Sequence, residues 1–279
     1  MKGKTCVITG ASDGIGLEAA AQLGALGARL MLAGRNRAKG EAALAKLRQH
    51  MPGVDAQMFY ADLSRRDDVA RLAGELLTAA PRIDVLLNNA GAFLGERDVT
   101  DDGLERTFAL NHMGYFRLTA LLRERLLASA PARIVNVASE AHRGARLDFA
   151  DLQTAQAYNG WKAYQRSKLA NILFTRELAQ RLAGSGVTAN CLHPGFVATG
   201  FGDNNRGFWG IGIRLGKMFA AIPVTRGAQT PVYVASAPAL GTITGKYFDK
   251  CRERVPDMPA QDDAAAARLW LESERLSGL

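Results

Sequence analysis

Short runs of apolar residues alternate along the chain with longer stretches in which apolar residues recur at helical spacing. The short runs predict β-strands at 5–9, 29–33, 57–61, 85–88, 134–137, 187–193 and 246–248. The longer stretches predict helices at 15–26, 38–50, 67–80, 101–128, 158–182 and 226–235. Because the strands are apolar on both faces and are separated by helices, we predict an α/β fold. Its core is a doubly wound parallel sheet of about seven strands, with helices on both faces.

One segment, at about 195–223, departs from this alternation because it combines many glycines with large apolar side chains. No linker, repeat or low-complexity stretch interrupts the rest, so we predict a single domain over residues 1–279. Glycines among apolar side chains are typical of a loop over a substrate, and they favour a lipophilic ligand. Two alternatives stay open. The segment packs against the domain or a partner subunit, or it contacts a membrane surface with Arg214 and Lys217.

The composition, with 48% hydrophobic and 22% charged residues among 279, is that of an ordinary globular protein. The net charge of +8 is spread without a compact basic block, so we expect no nucleic-acid partner. Three cysteines without a CxxC pair and four histidines without ligand spacing predict neither disulfides nor a metal site. No apolar run is long enough for a signal peptide or a transmembrane segment, so we expect a cytoplasmic protein.

A glycine-rich turn follows the first predicted strand and precedes the first predicted helix. Glycines allow a sharp turn and a close approach of backbone amides to a pyrophosphate, whose charge the helix N-terminus favours. In this strand–turn–helix context the turn indicates a Rossmann-type dinucleotide-binding domain rather than an ordinary loop. Its candidate cofactor contacts are Gly10, Ser12, Asp13, Gly14, Ile15 and Gly16.

The end of the second predicted strand bears on the choice between NAD and NADP. NAD enzymes usually place a carboxylate there, which accepts hydrogen bonds from the 2′-hydroxyl of the ribose. This chain has Arg35, followed by Arg37 and Lys39, and a guanidinium pairs with a 2′-phosphate. We therefore predict NADP(H) as the cofactor, with Arg35 as its main contact. The alternative is that these cations only decorate a surface loop.

Tyr164 and Lys168 stand four residues apart in a predicted helix and therefore share one face. A tyrosine with a pKa of about 10 exchanges protons poorly near neutrality, and a nearby ammonium stabilises its phenolate. The pair is a candidate general acid/base. Because YxxxK also occurs by chance, its position relative to other groups decides its value.

Two further polar residues occupy positions that suit a catalytic site. Ser139 follows the strand at 134–137, and the carboxyl ends of parallel strands face the ligand crevice. Its hydroxyl is placed to bind a substrate oxygen, the alternative being a cap of the strand end. Asn111 lies inside a predicted helix although Asn is a poor helix former, which indicates a local kink held by a bound water.

The GxxxGxG turn, Asn88-Asn89-Ala90-Gly91 after a strand, and the YxxxK pair together resemble the short-chain dehydrogenase/reductase family. The resemblance implies a catalytic tetrad of Asn111, Ser139, Tyr164 and Lys168, in which Asn111 holds a water of the proton relay. It implies that Asp62 and Leu63 bind adenine, with a helix N-cap as the alternative role of Asp62. It also assigns cofactor contacts to Tyr164, Lys168, Asn89, Ala90, Gly91, Pro194, Gly195, Val197 and Thr199.

A narrower resemblance is to the retinol dehydrogenase-like branch of that family. It rests on the run YQRSKLANILF at 164–174, on Asn111-His112-Met113-Gly114, and on Glu140-Ala141-His142 after the serine. Animal members of the branch carry an N-terminal membrane anchor, and we expect none here. A retinoid substrate therefore does not follow from the resemblance alone.

The function predicted from these residues is hydride transfer between NADP(H) and an alcohol, aldehyde or ketone of lipophilic character, in a homo-oligomer. An alternative is a nucleotide-binding redox sensor on the same fold, which would have no need for four catalytic groups. A second alternative is an extended sugar-nucleotide epimerase. Its usual turn, TGxxGxxG, differs from the turn in this chain.

Overall fold

The computed structural model of the protein describes residues 1–197 and 222–279. One sheet is formed by the strands β1 (Thr5–Thr9), β2 (Arg29–Gly34), β3 (Ala56–Tyr60), β4 (Val85–Asn88), β5 (Ala132–Val137), β6 (Val187–His193), β7 (Tyr247–Asp249) and β8 (Arg252–Arg254). The strand order is β3-β2-β1-β4-β5-β6-β7-β8, and neighbours pair in parallel except β7 and β8, which are antiparallel.

Helices cover both faces of this sheet. In chain order they are α1 (Gly14–Ala25), α2 (Arg37–His50), α3 (Arg66–Ala79), α4 (Arg106–Phe108), α5 (Gly114–Ala128), α6 (Gly160–Arg181), α7 (Val224–Ser236) and α8 (Asp263–Ser277). The core on one face lies beneath α1, α2 and α7, and the core on the other lies beneath α3, α5 and α6. The doubly wound α/β fold expected from the sequence is confirmed.

Strand β1 explains why the central strands are continuous apolar runs. Successive side chains of a strand point to opposite faces of the sheet. Val7 joins the core beneath α3, α5 and α6, whereas Cys6 and Ile8 join the core beneath α1, α2 and α7. Since both faces are covered by helices, both are buried along the whole strand, and the polar residues Thr5 and Thr9 stand at its ends.

The strand order reverses between β1 and β4. From β1 the chain winds outward through β2 and β3, and it then returns to place β4 on the other side of β1. In open α/β sheets, ligands bind outside the carboxyl ends of the strands at such a reversal point. The turns that follow β1 to β4 therefore share the edge where a cofactor is expected.

All seven predicted strands are present, with ends that differ from the prediction by at most two residues. The eighth, β8, was not predicted because its residues are charged and exposed, so they carry no apolar pattern. Backbone pairing with β7 holds it in place, across a turn in which Lys250 and Cys251 adopt positive φ values of 50° and 57°.

The helix predicted at 101–128 starts later and is interrupted. Glu105 pairs with Val99 in an isolated antiparallel β-bridge. Its buried carboxylate caps the first helical turn by accepting hydrogen bonds from the amides of Thr107 and Phe108. A π-helical turn, Ala109–Met113, then separates α4 from α5. The prediction was wrong for residues 101–105, where polar residues form a turn rather than a helix.

The C-terminal helix α8 was not predicted. It packs against α6, where Trp270 stacks on Phe174 with ring centroids 5.9 Å apart. Within the two described ranges, every helix is too short or too polar to cross a membrane.

Candidate active site

A cleft of about 440 Å³ opens at the carboxyl edge of the sheet, at the reversal point between β1 and β4. Its walls come from the turns after these strands and after β2 and β3. The predicted cofactor contacts on these walls are Gly10, Ser12, Arg35, Asp62, Leu63, Ala90 and Gly91. Other residues line it that no motif in the sequence indicates, namely Ala92, Leu94, Asp98, Arg106 and Leu110.

Gly10 brings the glycine-rich turn into close contact with the segment after β4. Its φ is +66°, and a Cβ built on it would lie 2.8 Å from the Cα of Ala90, so no side chain fits. The Asn89 side chain fastens the two segments by donating from Nδ2 to the Thr9 carbonyl at 2.9 Å. This contact leaves the backbone of both turns exposed to the cleft, as a bound dinucleotide requires.

Asp13 begins helix α1 as its N-cap, with Oδ1 accepting from the Gly14 amide at 2.7 Å. Gly16, in the first turn, lies so close to the carbonyl of Gly10 that a Cβ would overlap it. Ile15 faces α7, where a Cβ built on Gly227 would lie 3.4 Å from its Cγ1. The N-terminal end of α1, with its positive partial charge, is therefore held at the cleft.

Arg35 lies at the rim of the cleft with 62% of its side chain exposed. Its Nη1 is 3.7 Å from Asp62 Oδ2, a contact that an incoming phosphate can replace. Arg37 turns away, and its guanidinium carbon lies 4.3 Å from the centroid of the Tyr60 ring. Of the three cations at this turn, Arg35 is the one that lines the cleft.

Asp62 does not cap helix α3, whose N-cap is Arg65, so that alternative role is wrong. Instead Oδ1 of Asp62 accepts from the amide and the hydroxyl of Ser64, at 3.0 and 2.7 Å. These bonds orient the carboxylate on the cleft wall and leave Oδ2 on the side of Arg35.

Ser139 and Tyr164 meet where β5 ends and α6 begins. The Ser139 side chain hydrogen-bonds the Tyr164 hydroxyl, and Ser139 Oγ also accepts from the Ala141 amide at 3.2 Å. Burial raises the pKa of the Tyr164 hydroxyl to about 12, and the bond to Ser139 partly opposes this. The phenol is therefore protonated at neutral pH, as a proton donor to a carbonyl oxygen must be.

Lys168 lies one helical turn after Tyr164 and is buried. Its Nζ donates to the Val137 carbonyl at 3.0 Å and lies 5.8 Å from the centroid of the Tyr164 ring. Burial lowers the pKa of this amine to about 7, since charge is costly in an enclosed site. When it is protonated, the ammonium favours the phenolate form of Tyr164.

Asn111 occupies the π-helical turn and is fully buried. Its Oδ1 accepts from the Ala92 amide at 2.9 Å, while Nδ2 donates to the Ala92 carbonyl and to Ser167 Oγ, at 2.9 and 3.0 Å. The helix is thus distorted where a kink was predicted, because the Asn111 side chain forms hydrogen bonds with the backbone of Ala92 in the segment after β4. The bound water stays a prediction.

The four tetrad candidates gather beside the cleft. A Cβ built on Gly91, which lines the cleft, would lie 3.2 Å from Asn111 Oδ1 and 3.4 Å from Lys168 Nζ. Tyr164 lies on the same helix as Lys168 and bonds Ser139. Residues separated by more than 50 positions in the sequence therefore converge at the carboxyl ends of β4 and β5.

Two aromatic residues beside Tyr164 were not singled out from the sequence. The buried ring of Phe93 lies edge-on to Tyr164, with ring centroids 6.0 Å apart. Trp161 lies 5.9 Å from Tyr164 and 6.4 Å from Phe93, and it is 43% exposed. Trp161 could have been identified from the sequence, because it stands three residues before Tyr164 in a predicted helix and therefore shares its face.

The turn after β6 carries predicted contacts to the nicotinamide end. Pro194 and Gly195 are half-buried, and Gly195 adopts a φ of +92°, with Ile222 Cδ1 2.6 Å from a Cβ built on it. Val197 is buried and forms a parallel bridge with Ile222. Thr199 lies outside the described residues, as does most of the predicted substrate loop at 195–223.

The sequence profile described as short chain dehydrogenase matches residues 4–207. The chain belongs to the short-chain dehydrogenase family. It is therefore an oxidoreductase that acts on CH–OH groups with a nicotinamide cofactor.

Relatives of this short-chain dehydrogenase match over nearly its full length. Retinol dehydrogenase 14 of Mus musculus is 42% identical over 295 residues, covering 100% of this chain and 87% of the relative. A solved structure of an uncharacterised protein from Mycobacterium paratuberculosis has a TM-score of 0.77 and 32% identity, covering 99% and 94%. A short chain dehydrogenase of Burkholderia cenocepacia, solved in complex with NADP, has a TM-score of 0.70 and 25% identity, covering 88% and 96%.

Proposed function

We propose that this dehydrogenase interconverts a lipophilic alcohol and its aldehyde or ketone with NADP(H), and that Tyr164 is the general acid/base. The observation that carries the proposal is the buried Tyr164 hydroxyl, bonded to Ser139 and neighboured by Lys168, beside a cleft that the glycine-rich turn and Arg35 line. A redox sensor would bind the nucleotide equally well, but it would have no use for a buried phenol beside an amine.

The residues present fit a nicotinamide dinucleotide. Gly10 and Gly16 leave the backbone room that a pyrophosphate needs at the start of α1. Arg35 at the rim would hold the 2′-phosphate, and Asp62 with Leu63 would hold the adenine. When bound, the reduced nicotinamide supplies the hydride that reaches the carbonyl carbon.

Residues of the chain itself would transfer the proton and stabilise the charges that form. Ser139 donates a hydrogen bond to the carbonyl oxygen and stabilises the negative charge that grows there. Tyr164 gives its hydroxyl proton to that oxygen as the alcohol forms, and it takes the proton back in the reverse direction. Lys168 in its charged form stabilises the phenolate left behind. Asn111 would hold the water through which Tyr164 regains its proton.

Replacing Arg35 by Asp is expected to weaken NADPH binding by about 1.5 kcal/mol or more, roughly tenfold or more in Kd. The reason is that a charged hydrogen bond to the 2′-phosphate is lost and a like charge is introduced. Titrating NADPH and NADH by fluorescence measures the change. The matched control is Arg37→Asp, because Arg37 stacks on Tyr60 away from the cleft. If the native protein binds both cofactors equally, the NADP preference is wrong.

A lipophilic substrate is supported by the aromatic wall beside Tyr164. Trp161, which is 43% exposed, presents apolar surface 5.9 Å, ring centroid to ring centroid, from the tyrosine that would protonate the carbonyl, and it packs edge-on against the buried ring of Phe93. The relatives named as retinol dehydrogenases point to the same class of substrate. We therefore propose medium- and long-chain aldehydes, retinal included, as the compounds to assay first.

Replacing Trp161 by Ala is expected to lower kcat/KM for long-chain aldehydes roughly 5- to 30-fold. This corresponds to a loss of about 1–2 kcal/mol of transition-state binding, since apolar contact area is lost. Short aldehydes, which do not reach the indole, serve as the internal control and should change little. Steady-state kinetics over a series of increasing alkyl length makes the comparison. An equal loss for every chain length would show that Trp161 supports the fold and does not select the substrate.

A further inference from the structure

His142 is fully buried next to Ser139, in the one-turn helix Glu140–His142. Its Nδ1 lies 2.6 Å from the carbonyl oxygen of Ser139. Because a carbonyl oxygen only accepts hydrogen bonds, Nδ1 must carry a proton. The other ring nitrogen, Nε2, lies 3.3 Å from Oδ1 of Asp257.

Asp257 belongs to the C-terminal part of the chain, just before the short helix Met258–Gln261. Its second oxygen, Oδ2, accepts from the amide of Gly144 at 2.8 Å. The Asp257 carboxylate therefore contacts two points of this loop. One is the His142 ring, which bonds the Ser139 carbonyl, and the other is the Gly144 amide, at the far end of the loop that follows Ser139. Asp257 lies outside residues 4–207, which the family profile matches.

Nε2 of His142 and Oδ1 of Asp257 are both buried, and neither has a hydrogen-bond partner among the residues that the structure describes. With Nδ1 protonated and Nε2 bare, two acceptor atoms would lie 3.3 Å apart in an enclosed site without a donor for either, which is unfavourable. A single proton between the two atoms removes this conflict and converts them into a charge-assisted pair.

The surroundings keep this pair in place. The Tyr247 ring lies edge-on to the His142 ring, with centroids 5.3 Å apart, and its hydroxyl donates to Glu140 Oε2 at 3.1 Å. His193 Nδ1 accepts from the Glu140 amide at 3.2 Å, and Arg143 pairs with the Glu140 carboxylate. The loop after Ser139 is thus fixed by contacts from β6, β7 and the C-terminal segment.

We propose that His142 and Asp257 form a positioning pair that shares one proton and fixes Ser139 for the substrate oxygen. Neither residue touches the substrate. They act through the Ser139 backbone, so that docking of the C-terminal segment is required for productive carbonyl binding. The inference rests on the proposed function, in which Ser139 binds the carbonyl oxygen.

Asp257→Ala and His142→Phe are expected to lower kcat/KM for the aldehyde by about 10- to 100-fold, because a small misplacement of Ser139 suffices for such a loss. The Kd for NADPH should stay within about twofold, since the cofactor cleft is untouched. Asp257→Asn should restore most of the activity. Its amide oxygen can accept from Gly144, and its NH₂ group can donate to the bare Nε2 of a neutral His142.

Asp263→Asn is the matched control, because Asp263 lies in the same segment and ties α8 to Arg176 without touching the Ser139 loop. It should leave kcat/KM unchanged. Activity of Asp257→Ala and His142→Phe equal to that of the native enzyme would overturn the positioning pair alone. Absence of turnover in the native enzyme would instead count against the proposed function.

A second measurement reads the proton without relying on activity. In protein labelled with ¹⁵N-histidine, the His142 ring should show the nitrogen shifts of an imidazolium in the native chain. The shifts should become those of a neutral ring in Asp257→Asn at the same pH. The His142→Phe variant assigns the signal by its disappearance. A neutral His142 ring in the native protein would contradict the shared proton, whatever the kinetics.

Discussion

Replacing Tyr164 by Phe is expected to lower kcat by about 10²- to 10⁴-fold, the loss typical of a general acid/base. Only the hydroxyl oxygen and its proton are removed, so the ring keeps its packing against Phe93 and Trp161. Steady-state kinetics with NADPH and a long-chain aldehyde gives kcat, and fluorescence titration gives the Kd for NADPH. That Kd should change by less than about threefold.

Tyr233→Phe is the control for this variant, because Tyr233 lies on α7 and packs on Phe248, away from the tetrad candidates. It should turn over like the native enzyme. A Tyr164→Phe enzyme that keeps near-normal turnover would rule out the proton-transfer role assigned to that hydroxyl.

Replacing Lys168 by Met is expected to lower kcat by about 10²-fold or more and to weaken cofactor binding as well. The methionine fills similar space, but the ammonium that stabilises the phenolate is gone. Alcohol oxidation, which needs the phenolate, should then require a more alkaline pH than in the native enzyme. A pH–rate profile in the oxidation direction, with exposed Lys162→Met on the same helix as control, measures this.

The same substitution should stabilise the fold. The pKa of Lys168 falls from 10.5 to about 7 on burial, so the unfolded chain binds more protons than the folded one between these values. The stability of the native protein should therefore rise with pH across that window, and Lys168→Met should lose this dependence. A higher Tm at pH 7 together with lost activity separates the catalytic role from a structural one. A lower Tm of Lys168→Met at pH 7 would contradict the view that burial disfavours the charged amine at this position.

The sequence predicted the sheet well because the central strands are buried on both faces and are rich in apolar residues, and even β6, where Thr188 and Asn190 interrupt the apolar run, kept enough of them to be recognised. The glycine turn and the YxxxK pair were also readable, since their chemistry depends on local spacing. Strand β8 was missed because backbone pairing alone, with charged side chains, defines it. Helix α8 did have readable ends, an Asp262 N-cap and Gly278 with a φ of +67°, which the prediction overlooked.

Long-range contacts were beyond sequence reasoning. Nothing local to Asp257 indicates that its carboxylate meets a loop 113 residues earlier, at Gly144. The orientation of Arg37 onto Tyr60, which leaves Arg35 as the cation of the β2 turn that lines the cleft, also depends on how α2 packs on β3. Such partners are set by tertiary packing, which single-sequence patterns do not contain.

The central claim, hydride transfer from NADPH to a lipophilic carbonyl, is tested most directly by isotope transfer. The native enzyme is incubated with a long-chain aldehyde and NADPH that carries deuterium at both C4 positions, and the alcohol is analysed by mass spectrometry. We expect one deuterium on the carbinol carbon of the product. NADPH that binds but yields no labelled alcohol with any aldehyde or ketone would contradict the account and favour a nucleotide-binding sensor.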